Sequence, residues 1–302
     1  MIGSPSEYMK VGLIHCMAYP ACAGGEGPIT ETVASIAHDA FFDVIEVTQI
    51  KTPTVRQAVR AIFDESRIEP CFAAQPILLG GKLNLNHAGL EERANAIKAV
   101  KEGINQAEEL GCSAVAVLSG QDSEDRTEAR ARLADSLKAL CAFAKPKGIR
   151  LVLETFDREA FGKNCLIGPT EEAVTVSEKV RAEHPEFGLL LDLSHLPLLH
   201  ESPRHAIMTA GDHLVHVHIG NCAMDDPKHP AYGDNHPRFG SPGTRVDVPE
   251  LAAFLRELMD TGYLSQKDRK VVSFEVKPLP GERPASVIAG AKRTLLEAWR
   301  RV

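Results

Sequence analysis

Apolar residues fall along this chain in short continuous runs, separated by longer stretches with a helical period. Eight runs read as strands: KVGLIH (10–15), VIEVTQI (44–50), EPCFAAQP (69–76), AVAVLSG (114–120), RLVLETF (150–156), FGLLLDLSH (187–195), LVHVHIGN (214–221) and KVVSFEVKP (270–278). Between them, stretches such as LEERANAIKAVKEGINQAEEL and EARARLADSLKALCAFAK repeat apolar positions every three to four residues. Gly111 and Gly148 stand where helix C-caps belong, and GPTEE and DVPEL carry the proline and early acids of helix starts. Strand–helix alternation implies parallel pairing. Nearly continuous apolar strands imply a sheet covered by helices. Eight such units in 302 residues predict an α/β fold, a single-domain (β/α)8 TIM barrel spanning the whole chain. An open doubly wound sheet fits less well, because no G-x-G-x-x-G follows a strand and AGGEG (23–27) has the wrong spacing.

In such a barrel the chemistry gathers at the C-terminal strand ends. Strands five to eight end on Glu154, Asp192, His218 and Glu275, each a lone polar group in an apolar run. Three carboxylates at one mouth repel one another unless a cation sits among them. Oxygen donors with one imidazole suit Mn, Mg, Co or Zn, and no thiolate is placed to select a softer metal. The bland alternative is that each acid pairs with Lys or Arg. The strands themselves offer only Lys277 as an inward cation, either to neutralise a carboxylate or to contact substrate. His216 shares a strand face with His218 but lies about 6.6 Å deeper. It is expected to be a buried neutral imidazole, hydrogen-bonded beneath the site.

The set LETF…LLLDLSH…HVHIGN…SFEVKP resembles the xylose isomerase-like TIM-barrel superfamily, over essentially the whole chain. That group includes sugar isomerases, ketose 3-epimerases, inosose dehydratases and type IV apurinic endonucleases. The resemblance implies that Glu154, Asp192, His218 and Glu275 bind one divalent metal per chain. It also implies that His195, in D-x-x-H, faces the substrate or a second metal. Glu154 and Glu275 then become the acid–base pair that moves a proton next to a carbonyl, through an enediolate, in a sugar isomerase or epimerase.

Two positions depart from the epimerase pattern. Ala160 stands where those enzymes carry a glutamate six residues after the strand-five glutamate, and Met224 where they carry an arginine six residues after the strand-seven histidine. These departures keep a lyase or dehydratase acting on keto-sugars or 3-keto-glycosides in view. The segment 221–245 is longer than the ~12–15 residues usual for structureless loops. Its DNHPRFGSPG resembles an endonuclease element, which makes His195, Asp234 and His236 a second metal site or a substrate clamp. An endonuclease-like phosphoesterase would also need histidines where Gln75 and Ser119 stand. A non-catalytic sugar-binding barrel is the remaining alternative.

Composition narrows the partners. The formal charge of −7 argues against nucleic acid, and no run of about 18 apolar residues suggests a membrane span. Seven cysteines without a C-x-x-C pair, behind an N-terminus with no basic-then-apolar segment, predict buried thiols in a cytoplasmic protein. The expected partner is a sugar-like small molecule, and a homo-oligomer is compatible. His15, Gln75, Lys277 and Arg238 are the candidate substrate contacts. Asn84, Asn86 and His87 would read hydroxyls or merely hold a turn. Asp157 and Arg158 are expected to pair with each other or a neighbour, and Trp299 to pack.

Overall fold

The computed structural model describes residues 3–159 and 161–302; the departure noted at Ala160 therefore lies outside the described residues. Eight parallel strands close into a barrel in chain order, with the eighth pairing the first. They are β1 (Lys10–Ile14), β2 (Val44–Val47), β3 (Glu69–Ala73), β4 (Ala114–Leu118), β5 (Arg150–Glu154), β6 (Gly188–Asp192), β7 (Leu214–Gly220) and β8 (Val271–Glu275). The covering helices are α1 (Ile29–Ala37), α2 (Pro53–Ser66), α3 (Leu90–Leu110), α4 (Arg126–Ala144), α5 (Thr170–Arg181), α6 (Pro203–Ala210), α7 (Val248–Asp260) and α8 (Pro284–Trp299). The strand–helix alternation thus has the period and parallel pairing that the hydrophobic pattern predicts.

Helix ends follow their local chemistry. Gly111 (φ 72°) and Gly148 (φ 71°) take the left-handed conformation that closes a helix and that a side chain would strain. Asp247 and Glu250 form a reciprocal capping box at the start of α7. At α5 no side chain of GPTEE caps the helix; the Thr170 N–H instead donates to Glu201, 31 residues away in sequence, at 2.9 Å.

Most strands stop earlier than the apolar runs suggest. Beyond Ile14, Ala74 and Ser194 the backbone turns at once into the short helices His15–Ala18, Gln75–Gly80 and His195–Leu198. His15, Gln75 and His195 are therefore first-turn residues above the barrel, not strand residues. A register shift between β6 and β7 at Leu189/Leu190 skips Val215, so Leu190 faces His216 and Asp192 faces His218. Because one residue of register reverses every side chain, this bulge is what sets the two histidines of β7 beside Asp192.

The main core lies between the barrel and its helices, and all seven cysteines are buried and unpaired within the fold. Ala116, Val152 and Leu190 form a smaller, separate cluster. Trp299 packs on Tyr8, 5.4 Å between ring centroids, and donates to the Gly3 carbonyl at 2.6 Å. Phe274, fully buried on β8 beside Glu275, stacks on Phe41 and meets Phe42 and Phe239 edge-on. Truncation there removes both burial and ring contacts. Phe274→Ala should cost about 3–5 kcal/mol in denaturant unfolding; a loss below about 1 kcal/mol would show that this cluster does not hold β8 against its helices.

Candidate metal centre and active site

The four donors predicted at the ends of β5–β8 converge. Glu154, Asp192, His218 and Glu275 place one ligand atom each within 4.8 Å of all the others. Local bonds orient them. Gln75 Nε2 donates to Glu154 Oε2 at 2.6 Å, the Ser194 N–H donates to Asp192 Oδ1 at 2.6 Å, and His218 Nδ1 lies 2.9 Å from Glu275 Oε2. The other oxygens, Glu154 Oε1 and Asp192 Oδ2, are buried with no hydrogen-bond partner. Orphaned buried oxygens are costly. Two of them aimed into one all-oxygen-and-nitrogen cluster fit a hard divalent cation, so these residues can hold the metal implied by the donor pattern.

Beneath the quartet lies a residue that sequence reasoning missed. Glu46 of β2 is 1 % exposed; its Oε1 lies 2.8 Å from His216 Nε2 and its Oε2 3.2 Å from His218 Nε2. Burial by itself would raise this carboxyl, but the two imidazoles outweigh it and hold the pKa well below the usual range. An ionised carboxylate only accepts, so both rings donate from Nε2. His218 is thereby turned with Nδ1 toward Glu275 and Glu154. His216 does lie under the site as expected, bonded across the barrel to a strand that is not its neighbour. The signal for Glu46 was present: it is the only charge in a strand buried at every position.

The second trio also assembles. His195 Nδ1 donates to the Thr155 carbonyl at 2.7 Å, and its Nε2 lies 3.0 Å from Asp234 Oδ1. His236 Nε2 lies 2.6 Å from the same oxygen, and Lys163 Nζ donates to Asp234 Oδ2 at 2.9 Å. Asp234 is thus surrounded by three donors, which suits a clamp. Two three-donor groups could hold a further cation, Asp192, His195 and His236 here and Glu46, His216 and His218 beneath the quartet; neither includes Asp234. Burial would raise Asp234 and lower both histidines. The charges around them reverse this: the two imidazoles and Lys163 hold Asp234 well below its usual range, Asp234 and Asp192 raise His195, and Glu275 and then Asp234 raise His236. For Asp192 burial dominates and pushes its carboxyl up.

The long loop is ordered by one amide. Asn221 Oδ1 accepts from the N–H groups of Cys222, Arg245 and Val246, while its Nδ2 donates to the Arg238 carbonyl and the Thr244 hydroxyl. His236 holds a left-handed backbone (φ 48°), a strained conformation for histidine. Gly220 lets it approach, since a Cβ there would stand 2.9 Å from His236 Nδ1 and 2.9 Å from the Glu275 carbonyl.

Several expectations need correction. His15 does not face the mouth; it is buried, with Nε2 2.7 Å from the Thr32 hydroxyl of α1. Arg238 points away, its Nε donating to Glu282 at 2.9 Å. Lys277 neutralises no carboxylate: it lines the mouth without an ion pair among the described residues, and the cation on the acids is Lys163, which the sequence reading did not single out. Two open alternatives resolve without correction: Asn86 holds its loop, donating to the Ser119 and Gln121 carbonyls, and Arg158 pairs with a neighbour, Glu172. Ser119 is spent on the Ile167 N–H and the Gly120 carbonyl.

A cavity of about 570 Å³ opens at the N-terminal strand ends, bordered by Glu69, Arg150 and His216. A smaller one of about 160 Å³ lies at the C-terminal ends, where Glu154, His218, His236 and Glu275 meet Gln75 and Lys277. The convergent acids make the smaller cavity the candidate active site.

Residues 35–294 match the xylose isomerase-like TIM barrel family, and the chain belongs to that family. A 96-residue stretch is 31% identical to D-psicose 3-epimerase of Ruminiclostridium cellulolyticum, covering 32% of this chain and 31% of that protein. The chain therefore spans about a third of that curated relative. Among solved structures, an L-ribulose 3-epimerase superposes with a TM-score of 0.74 at 18% identity, over 97% of this chain and 96% of the other. The 3-keto-D-glucoside 4-epimerase of E. coli gives 0.68 at 19% identity, over 97% and 99%. At these identities the structural likenesses establish the fold.

Two tests follow from the geometry. Glu46→Ala should cost about 3 kcal/mol by leaving two buried imidazoles unpartnered; guanidinium unfolding reads it, and an unchanged midpoint would mean the triad does not stabilise the barrel. Burial lowers His15 from its usual 6.5 to about 4. As pH falls, the unfolded chain takes the proton first, so this contribution is full above pH about 6.5 and drains away toward pH about 4. At about 1.4 kcal/mol per pKa unit, wild type should lose about 2–3 kcal/mol more than His15→Gln between pH 7.5 and 4.5. Equal losses would contradict the buried neutral ring.

Proposed function

We propose that this protein is a divalent-metal-dependent enzyme acting on keto-sugars, an isomerase or epimerase that moves a proton on the carbon next to a carbonyl. The observation that carries this reading is the convergence of Glu154, Asp192, His218 and Glu275, with two buried carboxylate oxygens that have no other partner. These four residues would hold the metal, which when bound supplies a Lewis acid that polarises the substrate carbonyl.

The chain's own groups do the rest. Gln75 donates to Glu154 Oε2 and fixes the orientation of the carboxylate that would take or return a proton. Glu275 is the second proton carrier. Burial would raise its carboxyl, but His236 and His218 pull it below the ordinary range, so it enters the reaction ionised, as a base. His236 Nε2 stands 3.3 Å from Glu275 Oε1 and steadies that charge. Lys277 lines the mouth without an ion pair among the described residues, which supports a contact with a substrate oxygen. His195, held between Thr155 and Asp234, orients the clamp. Phe156 and Cys16 wall the cavity against water.

A second reading keeps the same proton abstraction but expels a group from the adjacent carbon, as a lyase or dehydratase does. Met224, standing where the epimerase pattern has arginine, favours it.

Metal-stripped and Mn²⁺-loaded protein, incubated in D2O with a panel of ketoses and 3-keto-sugars, should differ: deuterium enters carbon next to the carbonyl only with metal. Glu154→Gln should lower that exchange about 10²–10⁴-fold while the protein remains folded. Exchange that survives chelation, or full exchange by Glu154→Gln, would remove this assignment.

A further inference from the structure

We propose that Gln75 is a specificity-determining residue that reads a hydroxyl of the substrate, on the carbon that Glu154 serves or on the next one along. The inference rests on the keto-sugar reading above and adds what the site demands of its ligand. Gln75 is 7 % exposed and begins the short helix Gln75–Gly80 that follows β3. Its Nε2 donates to Glu154 Oε2 at 2.6 Å. A carboxylate that binds a cation accepts hydrogen bonds and donates none. The amide therefore has one workable orientation, with nitrogen toward Glu154 and oxygen away from it. That oxygen, Oε1, is buried and has no partner among the described residues.

Among the described residues, only two of the buried side-chain atoms left without a partner belong to residues lining the mouth, Glu154 Oε1 and Gln75 Oε1. The first belongs to the quartet that would hold the metal. The second needs a donor, because a buried acceptor left unmet is costly. The donors around the mouth are committed elsewhere: Lys163 and His236 to Asp234, and His218 to Glu46 and Glu275. The quartet already offers a cation three carboxylates and an imidazole. What a keto-sugar brings in addition is O–H groups, and an amide oxygen accepts from O–H. It does so without adding another negative charge to a mouth that Glu154, Asp234 and Glu275 already line. Oε1 and Nε2 sit on one carbon, so a hydroxyl on Oε1 lies beside the amide that holds Glu154. One side chain thus couples the proton carrier to the group next to the proton it moves.

The test uses the full chain with saturating Mn²⁺ and three probes, D-fructose and its 3-deoxy and 4-deoxy analogues. Titration calorimetry should show wild type binding one deoxy sugar about tenfold or more weaker than D-fructose, since that sugar leaves the buried oxygen without its donor. Gln75→Met keeps the length of the side chain and removes its acceptor, and should bring that ratio to about one. Gln75→Glu keeps an acceptor oxygen, and the ratio should persist. A residue that only orients Glu154 would slow deuterium exchange into every sugar alike and leave the ratio untouched. Equal affinities in wild type, binding of none of the three sugars, or a ratio unchanged in Gln75→Met overturns the proposal; the first two results need no variant. A preference for D-fructose without deuterium exchange into any of the sugars overturns the proton-transfer reading and supports the role of Gln75. Exchange into all three sugars at equal affinity overturns the role of Gln75 alone.

Discussion

Five carboxylates share the interior and mouth of an apolar barrel, and the rest of the site is arranged around their mutual repulsion. Glu46, Glu154, Asp192 and Asp234 are almost wholly buried, with Glu275 at the rim. Unscreened like charges at this depth would unfold the mouth. The compensation is layered. At the bottom Glu46 is met by two imidazoles; at one side Asp234 is met by two more and by Lys163. Between these two neutralised groups remain Glu154 and Asp192, whose free oxygens face each other's site without a donor. Among these five carboxylates, the oxygens left without a donor are those of Glu154 and Asp192, within the quartet where four ligand atoms converge.

The fold supplies this arrangement through strand ends. Strands β5–β8 each deliver one residue to the quartet, and Glu46 of β2 meets His216 and His218 of β7 beneath it, so groups far apart in sequence come together; Glu46 and His216 stand 170 positions apart. The bulge in β7 sets the phase of the two histidines, and the early end of β3 and β6 places Gln75 and His195 on short helices above the carboxylates they orient. Rigid elements hold both the donors and the groups that aim them, which is what a site with little tolerance for misplacement needs.

What was readable in the chain follows from the same physics. Glu154, Asp192, His218 and Glu275 stood out because a charge in an apolar strand is an anomaly with a definite height in the barrel. Glu46 is the same anomaly, but its meaning depends on partners across the lumen, which strand order alone does not pair. Lys163 could not be found this way: it sits in an aperiodic loop, and only the folded path brings it to Asp234. His15 and Arg238 misled for a related reason. Nearness to a strand end fixes where a backbone is, not where a side chain turns, and both turned to partners on the shell, Thr32 and Glu282.

The knot at Asn221 has a consequence for how this molecule can change. One side chain ties the two ends of the 221–245 loop together, making five hydrogen bonds to backbone and hydroxyl groups on both flanks. The stretch around Asp225–Lys228 lies outside that knot and is largely solvent-exposed. Its sequence can therefore drift, lengthen or be exchanged while the closure at the barrel stays put. The exposed tip is an exchangeable segment on a fixed base, whereas Asp234 and His236, further along the same loop, are tied to His195 and Glu275 and cannot change with it.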